Sequence, residues 1–486
     1  MKSEKYASTL RLCLVALLLT ITSGAMADPI AQAIWCSDNH TLYFTYDELY
    51  SEGGSYNGNT ITYVWSGLDV TNTENGADWS EWGEYDNWSN WIYILRSQCT
   101  TVVFDDSFAA VRPLSCKNWF FGFTQLTSIQ GLSYLNTSEV TDMKCMFFNT
   151  RVTSLDLSNF NTSEVTTMES MFKDCITLTT LDLSTFNTSK VESMVEMFSG
   201  CKTLSTLTVG SGWRTMEDVG SREDMFKDCT PSTYNIRMDD NADNTGVVSA
   251  FADKTVNATL LGRTLYKDGK WNTMCLPFNV TVGSGQLAGA TAMTLNKSTS
   301  GFNSESGVLT LNFDNVASGS TIPAGKPFIV KWTGTNVTNP EFSGVTLANT
   351  VPSNVPSSDS KVHFIGTYSP VALTANTSAN LYMGDGNNLH YPTEDMNVNA
   401  FRAYFTVDLD PSEPGGGQVR AIVLNFGDEN DNETTVNSQL STINSSNAGA
   451  AYDLSGRRIS ASSDSSAPSA LPKGVYIING RIILIK

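Results

Sequence analysis

Hydrophobic positions along this chain recur at a fixed interval. VTSLDLSNFNTSEVTTMESMFKDC, which starts at Val152, is followed by LTTLDLSTFNTSKVESMVEMFSGC, which ends at Cys201. Leu155, Phe160, Val165, Met168, Met171, Phe172 and Cys175 return 26 positions later as Leu181, Phe186, Val191, Met194, Met197, Phe198 and Cys201. A period of this size is the mark of stacked units. Within each unit the spacing changes. Leu155 and Leu157 alternate, which predicts a short strand. Val165, Met168, Met171, Phe172 and Cys175 follow i, i+3, i+6, i+7, i+10, one face of a helix. Asn161-Thr162-Ser163 lies between the two halves and offers N-cap side chains, with Glu164 in the first turn where a carboxylate suits the helix dipole. The pattern predicts one strand, one polar turn and one short helix per repeat. Such a unit is too small to bury a core alone, so it requires parallel stacking with capped ends.

The strand half, Leu178-x-x-Leu181-x-Leu183, matches a leucine-rich repeat, although Phe186 stands where the usual Asn or Cys would and Asn187 comes one later. Together with MF-x-x-C-x-x-L and F-N-T-S-x-V-x-x-M, these residues resemble the 26-residue bacterial surface-protein repeat of the BspA-like leucine-rich family. That resemblance implies adhesion to host matrix proteins, other cells or mucosal glycans. The expected fold is an α/β leucine-rich-repeat-like solenoid with an N-terminal cap, an all-β antiparallel sandwich after it, and a small C-terminal β hairpin or sorting domain. The repeats occupy 119–230. The first module, Leu126–Thr150, carries an insertion near Gly131, and the last, Leu204–Cys229, is two residues longer and charged, as suits a C-terminal cap.

Residues 28–118 read as the N-terminal cap, with alternating strands at Thr41–Tyr46, Ile61–Trp65 and Thr101–Phe104. Trp79, Trp82, Trp88 and Trp91 crowd the span between Asp78 and Tyr93. They read either as a sugar-stacking platform or as a plug over the open end of the repeat core. Residues 231–246 read as a linker, where Asp239, Asn241 and Asp243 hint at a calcium loop that lacks its sixth-position Gly and twelfth-position Glu. Residues 247–430 carry short strands throughout: Leu260–Leu265 turning at Asp268-Gly269 into Trp271–Phe278, then Gly307–Phe313, Lys326–Trp332, Val362–Thr367, Asn380–Met383, Phe401–Val407 and Ala421–Phe426. Their spacing predicts the antiparallel sandwich. Residues 431–450 are an Asn/Ser/Thr-rich linker. Residues 451–486, with YDLSGR and LPKGVYIINGR, resemble the C-terminal sorting domain of the type IX secretion route of Bacteroidota, which implies attachment machinery as a partner; the other reading is an edge hairpin of the β domain.

Charge narrows the partners. Against 49 acidic residues the 486-residue chain sets 30 basic ones, a formal net charge of −19, which leaves no phosphate-seeking surface for nucleic acid. Residues 1–27 read as a signal peptide: Lys2, Lys5 and Arg11 precede the apolar run Leu12–Leu19, and Ala25-Met26-Ala27 forms a cleavage site. No later stretch is apolar enough for a transmembrane helix. The chain is therefore expected outside the cell or on its surface. Removing Cys13 leaves eight cysteines. Cys175, Cys201 and Cys229 occupy equivalent repeat positions and read as buried thiols, while Cys116 and Cys145 are the best candidates for a bridge.

No catalytic constellation is legible. His40, His363 and His390 are far apart, Cys275 has no local His, and nucleophile-elbow, phosphate-loop and zinc motifs are absent. A glycosidase needs only two carboxylates, for which Asp408 and Asp410 are available, but the chain is read as a non-enzyme without cofactor or metal. The expected binding surface is the sheet face opposite the leucines: Ser154, Asp156 and Ser158, then Thr180, Asp182 and Ser184, then Thr206 and Thr208. An extracellular protein or glycan is its expected partner. The alternatives are a carbohydrate-binding component of a glycan-acquisition system, carried by the tryptophan cluster, and a purely structural surface protein.

Overall fold

The computed structural model describes residues 29–66, 95–214, 223–229, 231–375, 379–384, 387–409 and 419–427; at 65–66, 433–436, 451–452, 458–460, 474–478 and 481–485 only the backbone is described. Residues 1–27, read as a signal peptide, and the tryptophan cluster at Trp79–Trp91 lie outside the described residues, as does nearly all of the span 431–450 read as a linker. The chain divides into two compact units between Tyr234 and Asn235.

The first unit begins with an antiparallel pair, Ile30–Cys36 with Thr41–Asp47. Tyr63–Ser66 flanks one side. On the other, Thr41–Asp47 pairs in parallel with Thr101–Phe104, which pairs in parallel with Ser128–Gln130. Further along, Thr180–Leu183 pairs in parallel with Thr206–Gly210 and sets Leu181 beside Leu207 and Asp182 beside Thr208. Equal repeat lengths bring the chain back to the same place one strand spacing along.

The second half of each repeat is not helical, and the expectation of an α/β leucine-rich-repeat-like solenoid fails with it. Two residues in every repeat hold left-handed backbone: Cys145 and Asn149 (φ 55° and 56°), Ser170 and Asp174 (53° and 58°), Glu196 and Gly200 (54° and 75°), and Asp224 and Asp228 (53° and 54°). A right-handed helix cannot continue through such residues. The chain instead makes successive tight turns, closed by bonds such as Met171 N–H to the Met168 carbonyl and Cys175 N–H to that of Phe172, both 3.2 Å. Intervening N–H groups leave the repeat altogether. Those of Cys145, Phe147 and Asn149 donate to the carbonyls of Glu169, Met171 and Lys173 at 2.9, 2.9 and 2.8 Å. Those of Ser170, Phe172 and Asp174 donate to Val195, Met197 and Ser199 at 2.8, 2.9 and 2.8 Å. The i, i+3, i+7 spacing therefore marks the inward side chains correctly, since Met168, Met171, Phe172 and Cys175 are all buried. It does not reveal which backbone bonds form.

The Asn-Thr-Ser triplets likewise do not cap helices. Thr162 is buried, and its hydroxyl donates to the Asn187 carbonyl at 3.0 Å while accepting from the Asn187 N–H at 2.8 Å. Thr137 binds Asn161 and Thr188 binds Arg214 in the same two-way manner. Inside, rings line up at the repeat interval: Phe120 to Phe147 at 5.6 Å between centroids, Phe147 to Phe172 at 5.6 Å, Phe172 to Phe198 at 5.8 Å and Phe198 to Phe226 at 5.1 Å, all stacked. The eight cysteines from Cys36 to Cys275 are free and buried. The candidate bridge is not made because the two residues sit in different columns: Ser115 pairs with Asp142, which sets Cys116 beside Met143 and leaves Cys145 level with Asn118.

The second unit departs from the expected antiparallel sandwich. Its largest sheet runs Asn272–Met274, Phe328–Lys331, Thr291–Leu295, Val308–Val316, Ala421–Asn425 and Glu433–Val436, and Val308–Val316 pairs with Ala421–Asn425 in parallel. A further sheet runs Asn354–Pro356, Val362–Gly366, Ala403–Val407, Asn380–Met383 and Leu389–His390. The two share one core, where Leu309, Leu311, Ile329 and Leu424 meet Val362, Phe364, Leu381 and Phe405. Several small sheets surround them rather than two layers. The expected hairpin at Asp268-Gly269 turns but does not pair with itself: Thr264–Leu265 joins Val337–Thr338, and Asn272–Met274 joins Phe328–Lys331. The span read as a linker, 231–246, holds the strand Thr233–Asp239 and the start of the helix Thr245–Ala250. At the C-terminus the expected hairpin, Gly474–Ile478 with Arg481–Ile485, belongs to a four-stranded sheet with Ala451–Tyr452 and Arg458–Ser460.

Gly200 discriminates turns from helix. A Cβ there would lie 2.2 Å from the Asp174 carboxylate, at φ +75°. Gly200→Ala should therefore destabilise the first unit by about 1 kcal/mol or more, whereas in a helix it would stabilise by roughly that amount. Urea unfolding followed by tryptophan fluorescence reads the sign.

Candidate functional site

The surface singled out by sequence is partly assembled. Ser154, Asp156, Ser158, Thr180 and Asp182 are exposed, and Ser184 and Thr206 are half-buried. Thr208 is 6% exposed and does not join the face, because the strand Thr206–Gly210 is covered on both sides from Leu207 onward. Residues 154–157 run alongside without forming a regular strand.

The aspartates of this face also have local work. Asp156 Oδ1 accepts from the Ser158 N–H at 3.1 Å and its hydroxyl at 2.7 Å. Asp182 Oδ1 accepts from the Ser184 N–H at 2.9 Å. Each Asp-x-Ser is thus an Asx turn that ends its strand segment. The Ser158 bonds, side chain first, hold the Asp156 carboxyl below its ordinary range. What remains outward is a shallow array of hydroxyls and carboxylates at one-repeat spacing. It can donate and accept hydrogen bonds over a broad contact. Ion pairs also join neighbouring repeats: Lys144 with Glu169 at 2.8 Å, Lys173 with Glu196 at 2.6 Å and Lys190 with Glu164 at 2.6 Å. At this exposure such pairs set register more than stability.

The groups that chemistry would need are otherwise occupied. Burial pushes the Cys275 thiol up to about 12, which removes the thiolate a nucleophile requires. His363 Nδ1 lies 3.0 Å from Asn354 Oδ1 and has no carboxylate beside it in this contact. Asp410 lies outside the described residues, so the carboxylate pair raised from sequence is not tested. Asp239 and Asp243 accept from backbone N–H groups two residues on, at 2.8 and 3.0 Å. Among the described residues no group of three His, Cys, Asp or Glu side chains is arranged to hold a metal, and no helix is long and apolar enough to cross a membrane.

One buried charged cluster escaped sequence reasoning. Asp240, with 1% of its side chain exposed, accepts from Arg402 Nη2 at 2.9 Å and from Asn399 Nδ2 at 3.0 Å. Nearby, Arg263 is buried and donates to the Thr273 carbonyl at 2.8 Å, and burial followed by the like charge of Arg402 lowers its pKa to about 9. Asp240 and Arg402 are separated by 162 positions, and no local pattern announces them. With both carboxylate oxygens bonded, Asp240 is placed to join the loops of its unit rather than to move protons.

A family described as "Mycoplasma protein of unknown function, DUF285" matches residues 114–238, the repeat region. No curated protein and no solved structure matches the chain.

Two measurements check these assignments. The folded Asp156 pKa lies below its unfolded value, so its turn bonds stabilise above the ordinary carboxylate range and are lost as pH falls through the depressed value. Asp156→Ala should accordingly be less stable than the native chain at pH 7, with the difference vanishing at acid pH, and Ser158→Ala should raise the Asp156 titration midpoint in carboxyl NMR. Asp240→Ala removes the buried carboxylate that pairs with half-buried Arg402 and offsets the charge of buried Arg263, and should cost about 3 kcal/mol in urea unfolding of the second unit.

Proposed function

We propose that this chain is an exported, surface-displayed repeat protein that binds an extracellular protein or glycan through the polar face of its repeats. The observation that carries the reading is the exposed array Ser154, Asp156, Ser158, Thr180 and Asp182, repeated at one interval over a core of stacked Phe and Met side chains. A broad, shallow, polar surface gains affinity by summing many modest contacts over a large area, which suits a macromolecule better than a metabolite. The resemblance to BspA-like surface repeats supports adhesion as the purpose. The likeness of the C-terminal segment to type IX sorting domains supports delivery to the cell exterior, as does the leader-like start of the sequence.

The test is a double substitution, Asp156→Ala with Asp182→Ala, screened against arrays of matrix proteins and mucosal glycans. A ligand captured by the native chain should be released at least tenfold faster by the variant, provided circular dichroism shows it folded. Unchanged binding would remove this face from consideration.

A further inference from the structure

Each row of turns in the repeat file hands N–H groups to the row after it, and the last row has none to receive its own. In the first row Asn118, Phe120 and Gly122 donate to the carbonyls of Lys144, Met146 and Phe148, each at 2.9 Å. In the row before the last, Glu196, Phe198 and Gly200 donate to those of Glu223, Met225 and Lys227 at 2.9, 2.9 and 2.8 Å. The corresponding donors of the last row belong to Asp224, Phe226 and Asp228. Asp224 and Asp228 keep the left-handed backbone of their counterparts, φ 53° and 54°. The three N–H groups therefore face forward as the others do, yet among the described residues none of them has an acceptor. The end is open to solvent. Glu223, Asp224, Lys227 and Asp228 are exposed, and Phe226 is half-buried, stacked on Phe198 at 5.1 Å and in a T-shaped contact with Tyr234 at 6.3 Å.

We propose that this last row is a docking edge for a segment of a second polypeptide, which adds one further row to the file. Unpaired N–H groups set out at alternate positions are a template for another chain. Successive N–H groups of this kind also attract anions, but Glu223, Asp224 and Asp228 surround them, and Lys227 is held by Asp224 at 2.7 Å, so a negative ligand is repelled. Every earlier row is met by backbone carbonyls and by apolar side chains over its phenylalanine, and the same set fits here. Carbonyls at alternate positions accept from Asp224, Phe226 and Asp228, an apolar side chain packs against Phe226, and a Lys or Arg lies beside Glu223 and Asp228. The chain holds a pattern for such a segment in its own first row. Ser115–Thr124 (SCKNWFFGFT) places Lys117 in the column of Glu223 and Phe120 in that of Phe226. This edge is built from the turns and is separate from the polar sheet face, so the inference holds whatever that face binds.

The test uses the full native chain and a synthetic peptide of sequence SCKNWFFGFT, kept reduced. Without peptide, the amides of Asp224, Phe226 and Asp228 should exchange hydrogen about a hundredfold faster than those of Glu196, Phe198 and Gly200. The peptide should slow those three by about tenfold or more, and a scrambled peptide should not. Glu223→Lys with Asp228→Lys should weaken peptide binding by about tenfold, as should added salt. Asp156→Ala with Asp182→Ala should leave it unchanged. Three results would each overturn the proposal: amides already protected in the chain alone, equal binding of the scrambled peptide, or protection that grows with protein concentration in the absence of peptide, which would mean that a second copy fills the edge. Exchange on the unsubstituted chain decides the matter even if a lysine variant fails to fold.

Discussion

Backbone hydrogen bonds between one turn and the turn a repeat later hold this molecule together. In these junctions alternate N–H groups of the turns point forward to carbonyls of the next repeat, as with Phe147 to Met171 and Phe172 to Met197. A buried backbone donor left unpaired costs as much as several good contacts return. The spacing of the repeats is therefore under a stricter constraint than their composition. Rings and methionines can stack at 5–6 Å only because the backbone sets that interval first.

This constraint explains why the helix reading was persuasive and mistaken. The inward set Met168, Met171, Phe172 and Cys175 has helical spacing because four-residue tight turns bring side chains to one side nearly as a helix does. Propensity gave a contrary cue. The second left-handed position holds Asn149, Asp174, Gly200 and Asp228 in successive repeats, the residue types that tolerate positive φ. A recurring Asn/Asp/Gly column inside an apparent helix argues for a turn. The Asn-Thr-Ser triplets carry a similar lesson: the side chains that suit an N-cap also suit a bridge to a neighbouring repeat, and only the partner distinguishes them.

Strands were legible where alternation was local. Thr101–Phe104 and Asn380–Met383 fall at the boundaries that their side chains suggest. Pairing was not legible. Nothing near Val308–Val316 announces Ala421–Asn425 as its parallel neighbour, and nothing near Thr264–Leu265 announces Val337–Thr338. Such partners are chosen by the whole core. Exposure alternates about Leu181 and Leu183 as their spacing suggests. Thr208 was misplaced because alternation shows one covered side and cannot show when the other is covered too.

The turns send N–H groups forward and other segments send theirs back, as with Phe172 to Met197 and Thr179 to Thr153, so successive junctions carry the same two-way set of bonds. Any whole unit inserted between two others meets the same chemistry above and below, and length differences of a residue or two are absorbed without disturbing the turn bonds, since Phe147 to Met171, Phe172 to Met197 and Phe198 to Met225 all form at 2.9 Å. Unequal recombination in units of a full period is thus the natural route by which such an array lengthens or shortens, and the reach of its outer surface can be tuned without redesigning a single joint.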